Sequence, residues 1–470
     1  MKLFGCYVAL PFLMLAVLDG LSFFAVLQIL STVQHCRLCY FGSLVSLKSY
    51  EIAILTGTFL LITTSIGLYN RDAVQNFPIF LKRFFLSWQF IFVPVVAFIA
   101  ITKTAAGLPF GWYVGIMSLA IAIFMALLFA LRIVMVWCLG MPFVKKRILI
   151  LGSGAHAEAA AAFVTGPGKC HLSLIKLIGP EATSIAQSST SNLALKIMPD
   201  QTPVLATALA LKIDEIVVAT ADRQSPSMWD LLECKLNGIE VTEYLAFWER
   251  EAGQVDFTCA GPGWFACSDG FVLNQQHRTL KRVVDIVISF AFLIAIFPVI
   301  LATMLIIKLD SPGPVFYRQE RVGLNGKTFR VWKFRSMRVD AEKDGVPRWA
   351  SFTDNRTTRA GRFIRKVRID EIPQIINVLT GDMSFIGPRP ERPFFVEELH
   401  KVIPYYDLRH RVKPGITGWA QVNHPYGASI EDAKRKLAYD LYYVKKNEVF
   451  LDLTILIQTV RVILFAQGAR

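Results

Sequence analysis

Four long apolar runs in the N-terminal third of the chain constrain its fold more than any other feature. They cover about residues 5–30, 51–69, 84–102 and 110–139, and each approaches the ~20 residues that an α-helix needs to cross a bilayer. The whole chain of 470 residues is 54% hydrophobic, with a mean hydropathy of +0.45, which is too high for a soluble protein. The runs therefore predict four transmembrane helices, the first of them long for a cleavable signal peptide.

The basic residues that flank these runs predict the orientation of the helices. Seven lie on one side of the predicted membrane and three on the other. Because basic loops tend to stay in the cytoplasm, both ends of this block are expected to be cytoplasmic. The seven are Lys2, Arg71, Lys82, Arg83, Lys145, Lys146 and Arg147, and the three are Arg37, Lys48 and Lys103.

The segment KKRILILGSGAHAEAAAAF opens a second block. Its β-branched run, the pattern Gly152-x-Gly154-x-x-Ala157 and the alanine-rich stretch are typical of the first strand, turn and helix of a Rossmann-like unit. IDEIVVAT (213–220) predicts a buried strand, and LLECKLNGIEVTEY a helix, a turn and a strand. The only acid after the second strand is Glu181, in a predicted loop. A degenerate structural or regulatory α/β domain is favoured, and a bound dinucleotide is the alternative.

A third block, residues 273–470, begins with another long apolar run. VVDIVISFAFLIAIFPVILATMLII (283–307) has Asp285 as its only charged residue and Pro298 near its middle. Its length would allow it to span the membrane, but basic residues flank both ends, and Pro298 removes a helical hydrogen bond and favours a kink. We predict a re-entrant membrane helix over 281–308 that bends at Pro298. An ordinary spanning helix is the alternative.

The third block also carries nearly all of the net charge. From His277 onward, 32 Lys and Arg residues face 19 Asp and Glu, against a formal net charge of +14 for the whole chain. A basic domain beside membrane segments is typical of proteins that bind anionic membrane lipid or phosphate substrates. No nucleic acid is expected, because aromatic residues do not alternate with the basic ones. The apolar run at 449–465 would lie in the membrane interface or pack in a core. Cys36 and Cys39, a CxxC without a second pair, are read as ordinary loop cysteines.

RIDEIPQIINVLTGDMSFIGPRP places two adjacent acids, Asp370 and Glu371, before a short helix. Pro373 suits the first turn of that helix and Gly381 its end, so the acids lie where free N–H groups favour phosphate. One acid would serve as an ordinary N-cap. Two acids among many cations are expected to stay ionised. The ionised form is the one that acts as a nucleophile or binds Mg²⁺. Adjacent carboxylates cannot flank a sugar as a glycosidase pair does, and no P-loop sequence is present.

Cations and prolines surround this acid pair in the sequence. Arginine binds phosphate through two parallel hydrogen bonds, and the prolines on both sides of Arg389 restrict its backbone. Some of the many nearby cations are expected to be ordinary surface charges. The candidate substrate-binding residues are Lys333, Arg335, Arg365, Pro388, Arg389 and Pro390.

Five segments of the third block occur in a recognisable order. They are KRVVDIVIS, SPGPVFYRQERVGLNGKTFRVWKFRSM, TDNRTTRAGRFIRKVRIDEIPQIINVLTGDMSFIGPRP, RVKPGITGWAQVN and LAYDLYYVKKNEVFLDLTIL. Together they resemble the bacterial sugar transferase family, the monotopic phosphoglycosyl transferases. The four membrane runs and the Rossmann-like block add a resemblance to the large, WbaP-type subgroup of that family.

The resemblance implies that Asp370 attacks the β-phosphate of a UDP-sugar, releases UMP and holds the sugar phosphate covalently. Undecaprenyl phosphate then takes the sugar phosphate, as the first membrane step of exopolysaccharide, capsule or O-antigen synthesis. Glu371 would be the partner of Asp370 and contribute to a Mg²⁺ site, Arg365 and Arg389 would lie near the phosphates, and Pro298 would be the central proline of the re-entrant helix. Such an enzyme is a multi-pass protein of the bacterial inner membrane with a cytoplasmic catalytic domain. The expected sugar is glucose or galactose, and a homodimer is compatible with the sequence.

The predicted fold is a membrane α-helical block at 1–143, a Rossmann-like α/β domain at 144–272 and an α-rich phosphoglycosyl transferase domain at 273–470. The chain departs from the family's pattern after GWAQVN, where His424 and Pro425 stand in place of a glycine, and we expect His424 to be structural. Two other functions remain as alternatives. One is a membrane-tethered nucleotide-sugar oxidoreductase or dehydratase that uses the glycine-rich loop, although no Tyr-x-x-x-Lys pair is apparent. The other is a non-enzymatic scaffold for polysaccharide assembly.

Overall fold

The protein is described by a computed structural model that divides into two compact units. One unit is Val8–Trp248, and the other is Glu249–Arg470 together with residues 2–7. Cys36, Cys39 and Glu181 lie outside the described residues. The structure describes residues 2–3, 6–7, 10–33, 48–69, 78–87, 89–91, 122–130, 133–134, 145–152, 154–166, 172–178, 204–219, 228–272, 275–337, 357–424, 427 and 429–464.

The first unit begins with apolar helices. Rings of Phe23, Phe59 and Phe124 from three helical segments meet with centroids 4.6 to 5.0 Å apart, so these segments share one aromatic core. Ser49–Ile66 is long and apolar enough to cross a membrane, whereas the third and fourth predicted runs lie partly outside the described residues. The elements are α1 (Leu10–Val33), α2 (Ser49–Ile66) and further helical residues at 78–87, 89–91, 122–130 and 133–134. The short strands β1 (Lys2–Leu3) and β2 (Cys6–Tyr7), which belong to the second unit, pair antiparallel.

A four-stranded parallel sheet follows in the first unit. Its order is β4-β3-β5-β6, a doubly wound order in which the first strand is central. Ile148, Leu149 and Ile150 of β3 are fully buried, as a strand covered on both faces requires. The predicted strand at 213–220 and the helix, turn and strand after it are confirmed. The elements are β3 (Lys146–Leu151), α3 (Ala155–Thr165), β4 (Leu172–Ile178), α4 (Val204–Ala210), β5 (Glu215–Val218), α5 (Met228–Leu236), β6 (Glu240–Glu243) and α6 (Tyr244–Ala252). The last four residues of α6 belong to the second unit.

The glycine-rich turn between β3 and α3 needs glycine for conformational reasons. Gly152 (φ 140°) and Gly154 (φ 78°) both have positive φ angles, which residues with a Cβ rarely adopt. Gly154 is the N-cap of α3, and no side chain caps the helix there. The predicted strand–turn–helix is therefore present.

The second unit contains a single very long helix, α8 (Gln275–Asp310), preceded by α7 (Pro262–Cys267). Its 36 residues correspond to about 54 Å at ~1.5 Å per residue, and it is long and apolar enough to cross a membrane. Pro298 lies inside it. Apolar side chains such as Val287, Ile294 and Leu305 are more than 60% exposed, as is typical of a surface that contacts a membrane or another protein.

Charged side chains fix the N-terminal part of α8 to its own unit. Lys281 Nζ lies 2.5 Å from Asp452 Oδ2. The carboxylate of Asp285 accepts hydrogen bonds from the Ser384 hydroxyl (3.0 Å) and the Phe385 N–H (2.9 Å), and Asp285 is only 5% exposed. The lone acid of the apolar run is thus satisfied by protein groups.

The rest of the second unit is built around the antiparallel hairpin β7–β8 and a buried core. Tyr443 and Leu451 lie in that core with Ile455, whereas Leu453 and Val460 on the same C-terminal helix are exposed. The run predicted at 449–465 is therefore a helix with one face in the core. The elements are β7 (Phe316–Val322), β8 (Thr328–Phe334), α9 (Arg359–Lys366), α10 (Ile375–Thr380), β9 (Ser384–Ile386), α11 (Pro393–Val402), β10 (Gly415–Thr417), α12 (Trp419–Asn423), α13 (Ile430–Lys446), α14 (Val449–Leu464) and the 3₁₀ segments Leu324–Gly326, Ile369–Gln374 and Tyr406–Arg411.

Candidate active site

The acid pair lies on a 3₁₀ turn, Ile369–Gln374, that runs directly into α10. Arg368, just before the turn, has a left-handed backbone (φ 58°), an uncommon conformation that redirects the chain after α9. Pro373 lies inside the turn, and Gly381 (φ 94°) ends α10 in the left-handed region. The predicted helix is present, but its α-helical part begins only at Ile375.

Three cations converge on the carboxylate of Glu371. Arg389 Nη2 lies 2.5 Å from Oε1, Lys333 Nζ lies 3.3 Å from the same oxygen, and Arg368 Nη1 lies 3.6 Å from Oε2. Burial alone would raise the pKa of Glu371, but the charges of Arg389 and Lys333 hold that pKa well below its usual range. Glu371 is therefore an ionised carboxylate that holds Arg389 and Lys333 in place.

The neighbouring Asp370 has a different environment. Its side chain is half-buried, and no hydrogen bond or close ion pair to its carboxylate occurs among the described residues. Burial and the adjacent charge of Glu371 raise the pKa of Asp370, against the opposing effect of Lys333 and Arg389. The expectation that both acids stay ionised among the cations remains a prediction, and the structure adds that the close ion pairs are made by Glu371. A more basic carboxylate is a better nucleophile.

A buried asparagine places Lys333 in the site. The Asn377 side-chain amide of α10 donates to the Arg330 carbonyl (2.8 Å) and accepts from the Trp332 N–H (2.9 Å), so it clamps β8 next to the helix that follows the acids. Asn377 is 2% exposed. Burial lowers the pKa of Lys333. Sequence reasoning missed Asn377, although a polar residue inside the apolar stretch IINVL was a signal.

The structure does not bring all of the predicted substrate-binding residues together. Arg365, half-buried at the end of α9, acts on Asp370 through its charge, which lowers the pKa of that acid. Arg335 is 6% exposed and donates to the carbonyls of Ser311 (2.7 Å) and Pro312 (2.8 Å). It therefore fixes the turn after α8, and our proposal for the site leaves Arg335 out.

The loop of Pro388, Arg389 and Pro390 is held by more than its proline rings. The Pro388 carbonyl accepts a hydrogen bond from the Gly415 N–H (2.9 Å), and the Pro390 carbonyl accepts one from Arg321 Nη1 (3.2 Å). Donors from two other elements thus restrain the backbone on both sides of Arg389.

A divalent cation at this site would find one uncommitted carboxylate. Within the described ranges, no group of three or more His, Cys, Asp or Glu side chains could hold a metal ion. The oxygens of Glu371 are already held by cations, whereas Asp370 is open. Mg²⁺ commonly takes one or two carboxylates together with substrate phosphates. These donors fit a cation that arrives with a diphosphate and binds through Asp370. Glu371 is a poor candidate ligand because its oxygens are already paired with cations.

His424 contacts the start of α13 rather than the groups around the acid pair. Its Nε2 is 3.3 Å from Oδ1 of Asp432, and Asp432 forms a capping box with Ser429 at the start of α13. These contacts are those of a residue that supports a helix start, in line with the structural role expected for His424. Pro425 lies outside the described residues.

Comparison with known proteins gives a family match and named relatives. Residues 276–466 match the family described as bacterial sugar transferase. The chain is 40% identical, over 56% of its length and 61% of the relative's, to the UDP-N-acetylgalactosamine-undecaprenyl-phosphate N-acetylgalactosaminephosphotransferase of Aeromonas hydrophila. It is 46% identical, over 40% of its length and 41% of the relative's, to the UDP-glucose:undecaprenyl-phosphate glucose-1-phosphate transferase of Escherichia coli (strain K12). The chain thus spans less than two thirds of these two relatives.

A shorter relative is matched over most of its length. The uncharacterized sugar transferase EpsL of Bacillus subtilis (strain 168) is 40% identical over 191 residues, which are 40% of this chain and 89% of the relative. The family match also includes the acid pair and the cations that hold it. The chain therefore belongs to the bacterial sugar transferase family.

Proposed function

We propose that the protein transfers a hexose-1-phosphate from a UDP-sugar to undecaprenyl phosphate, releasing UMP and giving an undecaprenyl-diphospho-sugar. The observation that carries this proposal is the division of the acid pair, in which Glu371 holds two cations while Asp370 beside it remains open. By their names, the relatives from Aeromonas hydrophila and Escherichia coli act on undecaprenyl phosphate with a UDP-sugar as donor. The reaction would begin the assembly of a polysaccharide at the membrane.

In the first step, a carboxylate oxygen of Asp370 attacks the β-phosphorus of the UDP-sugar. A bond forms between that oxygen and the phosphorus, the bond from the phosphorus to the oxygen bridging the α-phosphate breaks, and UMP leaves with the bridging oxygen. Lys333 and Arg389, held by Glu371, neutralise charge on the diphosphate, and Arg365 adds a further positive charge. The product is an acyl phosphate that carries the sugar.

In the second step, a phosphate oxygen of undecaprenyl phosphate attacks the same phosphorus. The bond between the phosphorus and Asp370 breaks, and Asp370 regains its carboxylate. Because UMP leaves before the lipid enters, one site serves a water-soluble donor and a membrane-bound acceptor in turn. Ping-pong kinetics are the signature of such a scheme.

Mg²⁺ fits this scheme as a cofactor that enters with the donor. Asp370 and oxygens of the diphosphate would hold it, and when bound it would neutralise charge on the phosphates. Glu371 would keep its role as the counter-ion of Lys333 and Arg389.

We further propose a multi-pass inner-membrane protein whose second unit is cytoplasmic and whose α8 is re-entrant. Two described helices long and apolar enough to cross a bilayer support membrane association. A spanning helix would place its ends on opposite sides of the membrane, whereas both parts of α8 contact the same unit. Asp285 near its start binds Ser384, and Ile307 near its end packs against Phe334 and Ile364. Cysteines placed before and after Pro298 would both react with a cytoplasmic reagent and neither with an external one.

The parallel sheet of the first unit is proposed as a degenerate Rossmann-like domain. Its strand order and its glycine turn support this assignment. A structural or regulatory role agrees with the family to which the chain belongs, and the oxidoreductase alternative gains no observation from the described residues.

The test of the proposed function is the intact mass of the protein in lipid nanodiscs after incubation with Mg²⁺ and a panel of UDP-sugars, without acceptor. We expect a gain of one sugar phosphate, which is lost in Asp370→Asn and discharged by added undecaprenyl phosphate. UMP release only after addition of lipid, without an adduct, would replace the two-step scheme by direct transfer. Neither adduct nor UMP under any condition would favour the scaffold alternative.

A further inference from the structure

Four successive backbone carbonyls around Arg389 each accept a hydrogen bond from another part of the second unit. The loop they belong to, residues 388–391, has no regular secondary structure, so these bonds replace the ladder that would otherwise hold it. Its donors come from three elements, of which β7 is far in sequence from the other two. They are Gly415 N to the Pro388 carbonyl (2.9 Å), Arg409 Nη2 to the Arg389 carbonyl (3.0 Å), Arg321 Nη1 to the Pro390 carbonyl (3.2 Å) and Val322 N to the Glu391 carbonyl (2.9 Å).

Arg409 differs from the other donors because it is a fully buried charge. It is 5% exposed, and its guanidinium also lies 2.8 Å from Asp440 Oδ2 and donates to the Tyr406 hydroxyl (2.7 Å). Asp440 is 1% exposed. An ion pair removed from water in this way gives little net stability compared with apolar packing. The geometry of the Arg409–Asp440 pair therefore points to a role in positioning the groups that Arg409 binds.

Arg409 restrains a part of the loop backbone that the two prolines do not fix. The rings of Pro388 and Pro390 fix their own φ angles, and Pro390 also restricts the residue before it. The rings leave the φ angle of Arg389 and the ψ angle of Pro388 free, and rotation about either bond moves the Arg389 carbonyl. That carbonyl is the acceptor of Arg409 Nη2.

We infer that Arg409, held by Asp440, is a positioning residue that orients Arg389 toward Glu371 and the donor phosphates. The inference rests on the proposed function, because it assigns Arg389 to the phosphates. Arg409 itself touches neither acid of the pair, and it acts through the peptide of Arg389. A lysine at 409 would keep a charge beside Asp440 but would lose the planar fork that reaches three partners at once.

The kinetic test uses Arg409→Lys, Arg389→Lys and the double variant in nanodiscs. We expect Arg409→Lys to slow formation of the sugar-phosphate adduct by roughly 10- to 100-fold, mainly in kcat, with a smaller change in KM. If Arg409 acts through Arg389, the double variant is about as slow as Arg389→Lys alone. Arg335→Lys is the matched control. Arg335 is also a buried arginine that donates to backbone carbonyls, and we expect its effect to multiply with that of Arg389→Lys.

A second measurement does not depend on activity. Hydrogen exchange of the peptide around residues 385–392 should be faster in Arg409→Lys than in the wild type or in Arg335→Lys, with the melting temperature as a check of folding. Unchanged exchange in that peptide overturns the inference, as does a double variant whose two effects multiply. A wild-type protein that forms no adduct would count against the proposed function, and the exchange result would still decide the role of Arg409.

Discussion

Two buried carboxylates in the second unit each hold two or more cations, and their settings differ. Glu249 lies 2.6 Å from Lys445 Nζ and 2.8 Å from Lys446 Nζ, and all three side chains are less than 10% exposed. The ammonium of Lys445 also lies 4.0 Å from the centre of the Trp264 ring, where a cation–π contact covers it. In this cluster, the Glu249 cluster, all three charged side chains are buried.

The cluster around Glu371 is only partly closed. Glu371 is 12% exposed, but the side chains of Lys333 and Arg389 are 18% and 27% exposed. A second carboxylate, Asp370, lies beside it, and no residue in the described part of the chain forms a close ion pair with it. The comparison teaches that a buried ion cluster does not by itself mark an active site. Partial access for an anionic substrate and a second carboxylate, Asp370, which we propose as the nucleophile, distinguish the Glu371 cluster from the Glu249 cluster.

The largest expected effect that would test this comparison is that of Asp370→Asn. It removes the nucleophile and keeps the shape, so adduct formation should fall by at least about a thousandfold. The protein should still fold and should not lose stability, since the substitution removes a half-buried carboxylate whose charge is unfavourable beside Glu371. Intact mass and UMP release measure the first effect, and thermal unfolding the second. Transfer within tenfold of wild type would show that Asp370 is not the nucleophile.

Glu371→Gln should affect both activity and stability. Arg389 and Lys333 lose their counter-charge and their orientation, so we expect transfer to fall about 100-fold and the free energy of unfolding to fall by about 2 kcal/mol. Arg389→Gln in the same background should then change the activity little. If Glu371→Gln retained full activity, its carboxylate would have no orienting role.

Glu249→Gln should show most clearly that the two clusters differ, because we expect it to lower stability without slowing transfer. It leaves Lys445 and Lys446 buried without their carboxylate, which should lower the free energy of unfolding by about 3 kcal/mol. Adduct formation by the folded protein should stay within about twofold of wild type, because the described ion pairs of Glu249 are with Lys445 and Lys446, which are not residues of the proposed site. Thermal melting and single-turnover kinetics on the same sample give both values, with the exposed Lys401→Gln as control. A large loss of rate in fully folded Glu249→Gln would show that the Glu249 cluster also takes part in transfer.

The sequence was informative where neighbours in the chain are also neighbours in space. The acid pair, the helix ended by Gly381 and the proline-flanked Arg389 could all be predicted, because turn residues act locally. The Glu249 cluster could not, since its members are separated by 196 residues and only tertiary packing brings them together. The same holds for Arg409 with Asp440. Arg335 looked like a ligand because sequence does not show whether an arginine faces a substrate or a backbone carbonyl.

The smallest expected effect is on the pH dependence of stability, and it differs between the two acids of the pair. The folded-state pKa of Glu371 is lowered, so its stabilisation is present above its unfolded pKa of about 4.5 and is lost as pH falls toward the folded value. The folded-state pKa of Asp370 is raised, so its ionisation lowers stability as pH rises from about 3.9 through the folded value.

The two conservative variants should therefore change the pH dependence with opposite signs. The melting temperature of Asp370→Asn relative to wild type should increase as pH rises from about 4 to about 8, whereas that of Glu371→Gln should decrease up to about pH 5 and then stay level. Parallel melting curves in nanodiscs over this range measure both. Glu249→Gln is the reference for a cluster outside the site. If the melting temperatures of both site variants changed with pH in the same direction, the two acids would have similar environments. Asp370 would then not be the more basic of the two.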